Sequence, residues 1–137
     1  MRRVLVLVAA AVAVVAMAAC EPTPPTVAMT VKSVPAKPAC GTVAQLVGNT
    51  GGTKASSVVL QRTSGGKWVD WKWVDSWDSQ DPHLLTARPN SAGDYKLSWL
   101  APTKRGTYHL RVRSAGGSVV SNDIYVSTFE EIPGDCD

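Results

Sequence analysis

From Val27 onward, apolar residues recur at every second position, in short runs separated by glycine, proline and asparagine. The segment YHLRVR (108–113) shows this most clearly, because tyrosine, leucine and valine alternate with histidine and arginine. Side chains of a β-strand point alternately to opposite faces, so this spacing predicts strands with one buried face and one exposed face. We find no stretch of helical spacing beyond residue 27, and the pattern therefore predicts an all-β fold.

The runs predict seven strands, at 27–34, 42–48, 57–62, 67–74, 94–100, 106–113 and 119–127. The third and fourth should form a hairpin, because Gly65 and Gly66 in the TSGG link can adopt the positive φ that such a turn needs. Several short strands without helical crossovers are typical of an antiparallel β-sandwich. We therefore expect one sandwich domain over residues 27–137.

The first 19 residues have a different composition. Arg2 and Arg3 precede the uncharged run VLVLVAAAVAVVAMAA, which ends in small residues before Cys20. A positive start, roughly 16 apolar residues and small residues at the cut are typical of an export signal, whereas a membrane span needs ~20. The sequence predicts a signal peptide over 1–19, cleaved before Cys20. Cleavage nearby and an uncleaved anchor are the alternatives.

The segment MAAC (17–20) resembles the lipobox of bacterial lipoproteins, with Met17 in place of the more usual leucine. In that family the cysteine is diacylated, so the resemblance implies a lipid on Cys20 and an outward-facing position on the cell membrane. Two or more acyl chains hold a protein firmly to a bilayer. Residues 20–26 then form a proline-rich linker, whose reach is on the order of 20 Å.

The other two cysteines, Cys40 and Cys136, bracket the predicted domain. With Cys20 assigned to the lipid, they are an even pair in an oxidising location, which predicts a disulfide. Two free or metal-binding thiols are the alternative. No CxxC spacing or histidine cluster supports a metal site, and we predict no cofactor.

Length and charge limit the classes of partner. Without residues 1–19 the chain keeps 118 residues, enough for one domain with its own core. Loss of Arg2 and Arg3 reduces the 14 basic residues to 12, against 11 acidic residues, so the net charge falls from +3 to about +1. This balance gives no indication of nucleic-acid binding.

Three segments carry a second resemblance: VVLQRTSGGKWV (58–69), AGDYKLSW (92–99) and KRGTYHLRVRSAGG (104–117). Their order is similar to that in Ig-like or fibronectin-III-like domains of bacterial surface proteins. The resemblance implies an Ig-like sandwich with Tyr108 as a tyrosine corner, whose hydroxyl bonds to nearby backbone. Leu110 stands where an antibody domain has its second cysteine. Such modules are mostly spacers, stalks and adhesion or binding domains, which implies a protein that is not an enzyme.

Four of the five tryptophans lie within KWVDWKWVDSW (67–77). Trp68 and Trp73 are five residues apart, so a regular strand places them on opposite faces. The apolar odd positions favour burial of Trp71 and Trp73, whereas the Ig-like resemblance favours burial of Trp68, with Trp71 and Trp73 outward. A β-bulge would bring Trp68 and Trp71 inward together. We predict that Trp68 lies inside and that at least one indole is exposed.

The segment 75–93 is longer than the corresponding link in Ig-like modules, and long loops on a rigid sandwich commonly carry binding residues. We therefore predict a binding surface that contains Trp71, Trp73, Trp77 and His83. Exposed indoles stack on sugar rings or hold apolar peptide side chains, so the predicted partner is a protein or a cell-wall glycan. Coverage of every ring by the core or by this loop is the alternative.

Other polar groups are weaker candidates. His109, Arg111 and Arg113 form a basic stripe that suits an anionic polymer or lipid head group, or else a solvated face paired with Asp123 or glutamates. The segment DSQDPH (78–83) matches no metal-binding motif. We find no nucleophile elbow and no pair of carboxylates placed for acid–base chemistry, so no catalytic residue is predicted.

Together these patterns predict a surface-anchored, non-enzymatic lipoprotein with one Ig-like interaction module, which binds its partner through an aromatic surface. A passive structural or spacer module of the cell envelope, with no dedicated ligand, is the alternative. The sequence gives no indication of the oligomeric state.

Overall fold

The computed structural model describes residues 23–73 and 83–137, and the fold is all-β. The predicted signal peptide, Cys20 and Trp77 lie outside these residues. The described part of the chain contains eleven strands. They are β1 (Thr26–Val34), β2 (Val43–Asn49), β3 (Val58–Ser64), β4 (Lys67–Asp70), β5 (Lys72–Trp73), β6 (His83–Leu84), β7 (Thr86–Ala87), β8 (Asp94–Leu100), β9 (Thr107–Ser114), β10 (Val119–Ser121) and β11 (Ile124–Ser127).

Most of these strands belong to one curled, mixed sheet. Its main order is β4-β3-β9-β10-β1-β2-β8, with β7 beside β3 and β11 beside β9. A separate two-stranded ladder joins β5 and β6. Strands β1 and β10 run parallel, with Thr26 opposite Val119. The all-β content is therefore confirmed, whereas the parallel pair and the additional short strands depart from the predicted antiparallel Ig-like sandwich of about seven strands.

Strand β1 joins the two halves of the curled sheet. Its first residues pair with β10, its register shifts between Val27 and Met29, and residues 30–34 pair antiparallel with β2. Irregularities of this kind bend a strand and increase its twist. One half, here called the β9 half, contains β3, β4, β9, β10 and β11; the other, the β2 half, contains β2, β8 and the second part of β1.

The core lies between the inner faces of the two halves. Buried residues alternate along β8 and β9, at Tyr95, Leu97, Trp99, Leu110 and Val112. Trp99 is fully buried and contacts Trp71 and Tyr108 edge to face, with ring centroids 5.7 and 5.9 Å away. The period-two pattern therefore identified the buried face of β9 correctly, and β8 follows the same alternation.

Two local predictions are confirmed. Strands β3 and β4 form the expected hairpin, and Gly65 and Gly66 have positive φ values of 59° and 78°. The Tyr108 hydroxyl donates a hydrogen bond to the Lys104 carbonyl oxygen, 2.7 Å away, which is the bond expected at a tyrosine corner.

Other boundaries differ from the prediction. The segment predicted as a single strand over 119–127 is divided into β10 and β11, and the side chain of Asn122 between them bonds to the backbone of Val31. The segment predicted as a loop over 75–93 contains β6 and β7 in its described part. Strand β7 pairs with β3, with Ala87 opposite Val58, because the chain returns along the edge of the β9 half.

The predicted disulfide between Cys40 and Cys136 is present, and it joins residues 96 positions apart. Backbone hydrogen bonds also hold the C-terminal segment against Cys40 and Thr103. The Cys40 amide donates to the Phe129 carbonyl, 2.9 Å away, and the Asp137 amide donates to the Thr103 carbonyl, 2.8 Å away. The C-terminal segment is therefore fixed to the β1–β2 connection through Cys40 and to the β8–β9 connection through Thr103.

Candidate functional site

The outer face of the β9 half carries aromatic and charged side chains that we call the aromatic face: Trp68, Asp70, His109, Arg111, Arg113, Asp123 and Tyr125. Strand β9 contributes three alternate residues, His109, Arg111 and Arg113, because Leu110 and Val112 between them are buried on the inner face. Strand β4 supplies Trp68 and Asp70, and β11 supplies Tyr125. The alternation of the strands therefore assembles the set from distant parts of the chain.

Trp68 lies on this outer face, so the prediction that it is inside is wrong. Trp68 lies opposite Thr63 in the β3–β4 hairpin, and the Trp71 amide donates to the Leu60 carbonyl, 2.8 Å away. The pairing is regular from 67 to 71, and no bulge brings Trp68 inward. Trp71 therefore shares the inner face with Leu60, as the apolar odd positions indicated.

The predicted binding residues separate into different environments. Trp71 is half-buried against the core beside Trp99, with the Arg62 guanidinium 5.6 Å from its ring centroid, so its predicted outward orientation is wrong. Trp73 and His83 lie opposite each other in the β5–β6 ladder. The Trp73 side chain and all of Trp77 lie outside the described part of the chain.

Three rings of the aromatic face contact one another. Tyr125 lies opposite His109 in the β9–β11 ladder, and their rings stack with centroids 4.3 Å apart and planes 8° apart. The Trp68 ring meets His109 edge to face at 4.6 Å. To do so the Trp68 ring extends over β3, which lies between β4 and β9 in the sheet. Tyr125 is 69% exposed, so most of its ring faces solvent.

Arg111 is held in place beside these rings. Its guanidinium lies 4.3 Å from the Trp68 ring centroid, and its Nε donates to Gln61 Oε1, 2.8 Å away. Within the described residues Arg111 makes no other hydrogen bond, so its terminal nitrogens can donate to a ligand. Burial lowers the pKa of Arg111, and the charge of Asp123 opposes this effect. An oriented, cationic guanidinium next to an indole is a preorganised donor.

Asp70 and Arg113 form a bidentate ion pair, with Nε–Oδ1 and Nη2–Oδ2 distances of 2.8 Å. Gln61 Nε2 donates to the same carboxylate at 3.0 Å. The hydrogen bond from Arg113 lowers the pKa of Asp70 below its usual value, although burial opposes the shift. His109 Nε2 lies 3.0 Å from Asp123 Oδ2. The basic stripe is therefore paired with Asp123 at His109, as one alternative predicted, and with Asp70 at Arg113.

Replacing Asp70 with asparagine should lower the free energy of unfolding by about 1 kcal/mol at neutral pH. Because the folded-state pKa of Asp70 is lowered, its ionised carboxyl stabilises the fold above the unfolded pKa of ~4. This contribution is lost as the pH falls through the lower folded-state pKa. Urea unfolding at a series of pH values should show a difference between wild type and Asp70→Asn that shrinks progressively as the pH falls below the unfolded pKa of ~4.

Asp135→Asn is the control for this prediction, because Asp135 is exposed in the C-terminal segment. Its unfolding free energy should follow that of the wild type. A difference between wild type and Asp70→Asn that stays constant down to the lowest pH would show that ionisation of Asp70 does not stabilise the fold.

In the described ranges, no three histidine, cysteine, aspartate or glutamate side chains lie close enough together to hold a metal ion. The same ranges contain no helix long and apolar enough to cross a membrane. No family model matches the chain, and no curated protein matches it. Function is therefore inferred from the geometry of the aromatic face.

Sequence reasoning missed Trp68 and Tyr125 as members of this surface, although a signal for both was present. Trp68 has the same parity as Asp70, and Tyr125 stands between the apolar residues Ile124 and Val126. In a two-faced strand, both positions point outward. The predicted stripe of His109, Arg111 and Arg113 identified the strand that carries the surface, but not its aromatic neighbours.

Proposed function

We propose that the protein is a non-enzymatic, lipid-anchored surface protein whose Ig-like sandwich binds a glycan through the aromatic face. The lipobox-like segment ending at Cys20 supports the anchor. The buried inner faces of the two halves and the Tyr108 hydrogen bond support the Ig-like sandwich.

One observation carries the binding proposal: the exposed Tyr125 ring is stacked on His109, and His109 meets the Trp68 ring. The Arg111 guanidinium lies over that same Trp68 ring. Pyranose rings have an apolar C–H face that packs on aromatic rings. Their hydroxyl and carboxyl groups accept hydrogen bonds, which the terminal nitrogens of Arg111 can donate. The surface thus offers both kinds of contact that a sugar requires.

The aromatic face is also held rigid before any ligand arrives. His109 is fixed by its two ring contacts and by Asp123, and Arg111 is fixed by Gln61 and Trp68. Side chains that are already ordered lose little conformational entropy on binding. We therefore expect these residues to act as anchors, a role in which tyrosine, tryptophan and arginine are over-represented.

The carboxylate partners of the basic stripe also fit the alternative function, a passive structural module. His109 and Arg113 each have a carboxylate partner, as charged side chains on a solvated sheet face commonly do. The response of Trp68 to added glycans distinguishes glycan binding from a passive module. A passive module gives no change in the environment of Trp68.

Tyr125→Ala should weaken glycan binding about tenfold, since truncation of a binding anchor costs ~1–2 kcal/mol. The full-chain protein is titrated with soluble peptidoglycan fragments, and binding is followed by tryptophan fluorescence and calorimetry. Because Tyr125 is exposed, the variant should keep the unfolding free energy of the wild type. Ile132→Ala is the matched control, because Ile132 is also exposed, at 62%, but lies in the C-terminal segment.

A wild-type protein that gives neither heat nor a fluorescence change with these fragments would contradict glycan binding and favour the passive module. Equal weakening by Tyr125→Ala and Ile132→Ala would place the binding site elsewhere. A response to a protein partner alone, abolished by Tyr125→Ala, would keep the site and change the class of ligand.

A further inference from the structure

The outer face of the β2 half carries a second set of surface residues, which we call the lysine face: Lys32, Val34, Val43, Val47, Lys96 and Leu100. Lys32, Val47 and Lys96 lie opposite one another across β1, β2 and β8, and Val43 lies opposite Leu100. Three of its aliphatic side chains are strongly exposed, Val34 at 49%, Val43 at 55% and Leu100 at 58%. A sheet face that is exposed yet rich in aliphatic side chains commonly marks an interaction surface.

Three cations, two on this face and one beside it, line a common groove. Lys32 and Lys96 are two strand spacings apart, roughly 10 Å, with only Val47 between them. They share a groove of about 720 Å³ with Arg88. Across the described residues none of these three cations forms an ion pair. The acid that lines the groove, Asp94, instead accepts a hydrogen bond from Asn49 at 2.8 Å.

We propose that the lysine face lies on the surface of an anionic membrane. Unpaired lysines and an arginine around one groove complement the phosphate groups of lipid heads. The exposed aliphatic side chains of Val34, Val43 and Leu100 can enter the boundary between head groups and acyl chains, as the apolar faces of interfacial segments do. The long lysine stems let the ammonium groups reach phosphate while the apolar residues lie deeper.

The course of the chain fits this orientation, in a step that rests on the lipid anchor of the proposed function. Strand β1 begins at Thr26 and carries Lys32 six residues later, roughly 20 Å along the strand. The linker between Cys20 and Thr26 spans a similar distance at most. An anchor on Cys20 would therefore keep the lysine face within reach of the bilayer. The aromatic face belongs to the other half of the curled sheet and would point away from the membrane.

Lysine footprinting tests the orientation on the full-chain, lipidated protein. The protein is placed in vesicles of phosphatidylcholine with phosphatidylglycerol, treated with a water-soluble amine-acylating reagent and analysed by mass spectrometry. We expect the reactivity of Lys32 and Lys96 to fall several-fold relative to the protein in neutral detergent. Lys67 and Lys104 are matched controls, because both are exposed and lie outside the lysine face, and they should react equally in both samples.

Vesicles of phosphatidylcholine alone provide the second arm, in which the protection of Lys32 and Lys96 should be weaker. Co-sedimentation with anionic vesicles without protection of these lysines would overturn the membrane orientation and leave the anchor intact. Failure to co-sediment would contradict the anchor and with it this orientation. Protection of Lys32 and Lys96 that rises with the amount of protein per vesicle, and does not depend on lipid charge, would show that a second copy of the chain covers the face. That result also overturns the proposal.

Discussion

Replacing both bridge cysteines, Cys40→Ser together with Cys136→Ser, should lower the free energy of unfolding by about 4 kcal/mol. The bridge joins residues 96 positions apart, so it closes most of the domain into one loop. A cross-link of this length removes much of the conformational entropy of the unfolded chain. Small domains are stable by only ~5–15 kcal/mol, so the bridge contributes a large share of the total.

Urea unfolding of the variant and the wild type, followed by circular dichroism, measures this effect. Whole curves have to be fitted, because an unfolded chain without the bridge is more expanded and its m-value should rise. Reduction of the wild type with dithiothreitol should reproduce the loss. Thiol titration of the unfolded, unreduced protein should find neither Cys40 nor Cys136 free. Equal unfolding free energies for variant and wild type would show that the bridge does not stabilise the fold.

The sequence predicted the strands well where the alternation is long. Strands β1, β2, β8 and β9 each have seven or more residues, and their buried and exposed faces follow the period of two. Strands β5, β6 and β7 have two residues each, which is too short for any periodicity to be visible. Strand β7 pairs because the tertiary structure brings it beside β3, whereas β5 and β6 pair with each other.

The mixed character of the sheet was not predictable by the same reasoning. The parallel pairing of β1 with β10 joins residues far apart in sequence, with Thr26 opposite Val119. Alternation specifies which face of a strand is buried, but not which strand is its neighbour or in which direction that neighbour runs. The register shift between Val27 and Met29, which lets β1 serve both halves, leaves no mark on the pattern of apolar residues.

Trp68 shows how far the candidate site could be predicted. Strand parity alone placed Trp68 outward and Trp71 inward, and this is the arrangement found. The resemblance to Ig-like domains predicted the opposite orientation, and that prediction is wrong. The surroundings of Arg111 depend on Gln61, 50 positions away, and on Trp68, and no local pattern contains that information.

Trp99→Ala should cost about 3–5 kcal/mol of unfolding free energy, the largest effect of any single substitution considered. Trp99 is completely buried between the two halves, where it contacts Trp71 on one side and Tyr108 on the other. Truncation removes its apolar surface from the core and leaves a cavity that the rigid strands β8 and β9 can close only in part.

Two further variants test whether the loss of stability in Trp99→Ala comes from burial of the indole. Trp99→Phe should cost less than half as much as Trp99→Ala, because it keeps an aromatic ring and removes a buried Nε1–H that has no partner among the described residues. Trp68→Ala should change stability by only ~1 kcal/mol, since Trp68 is on the outer face, but it should abolish the fluorescence response to glycans. Equal stability losses for Trp68→Ala and Trp99→Ala in urea unfolding would contradict the strand parity on which both faces depend.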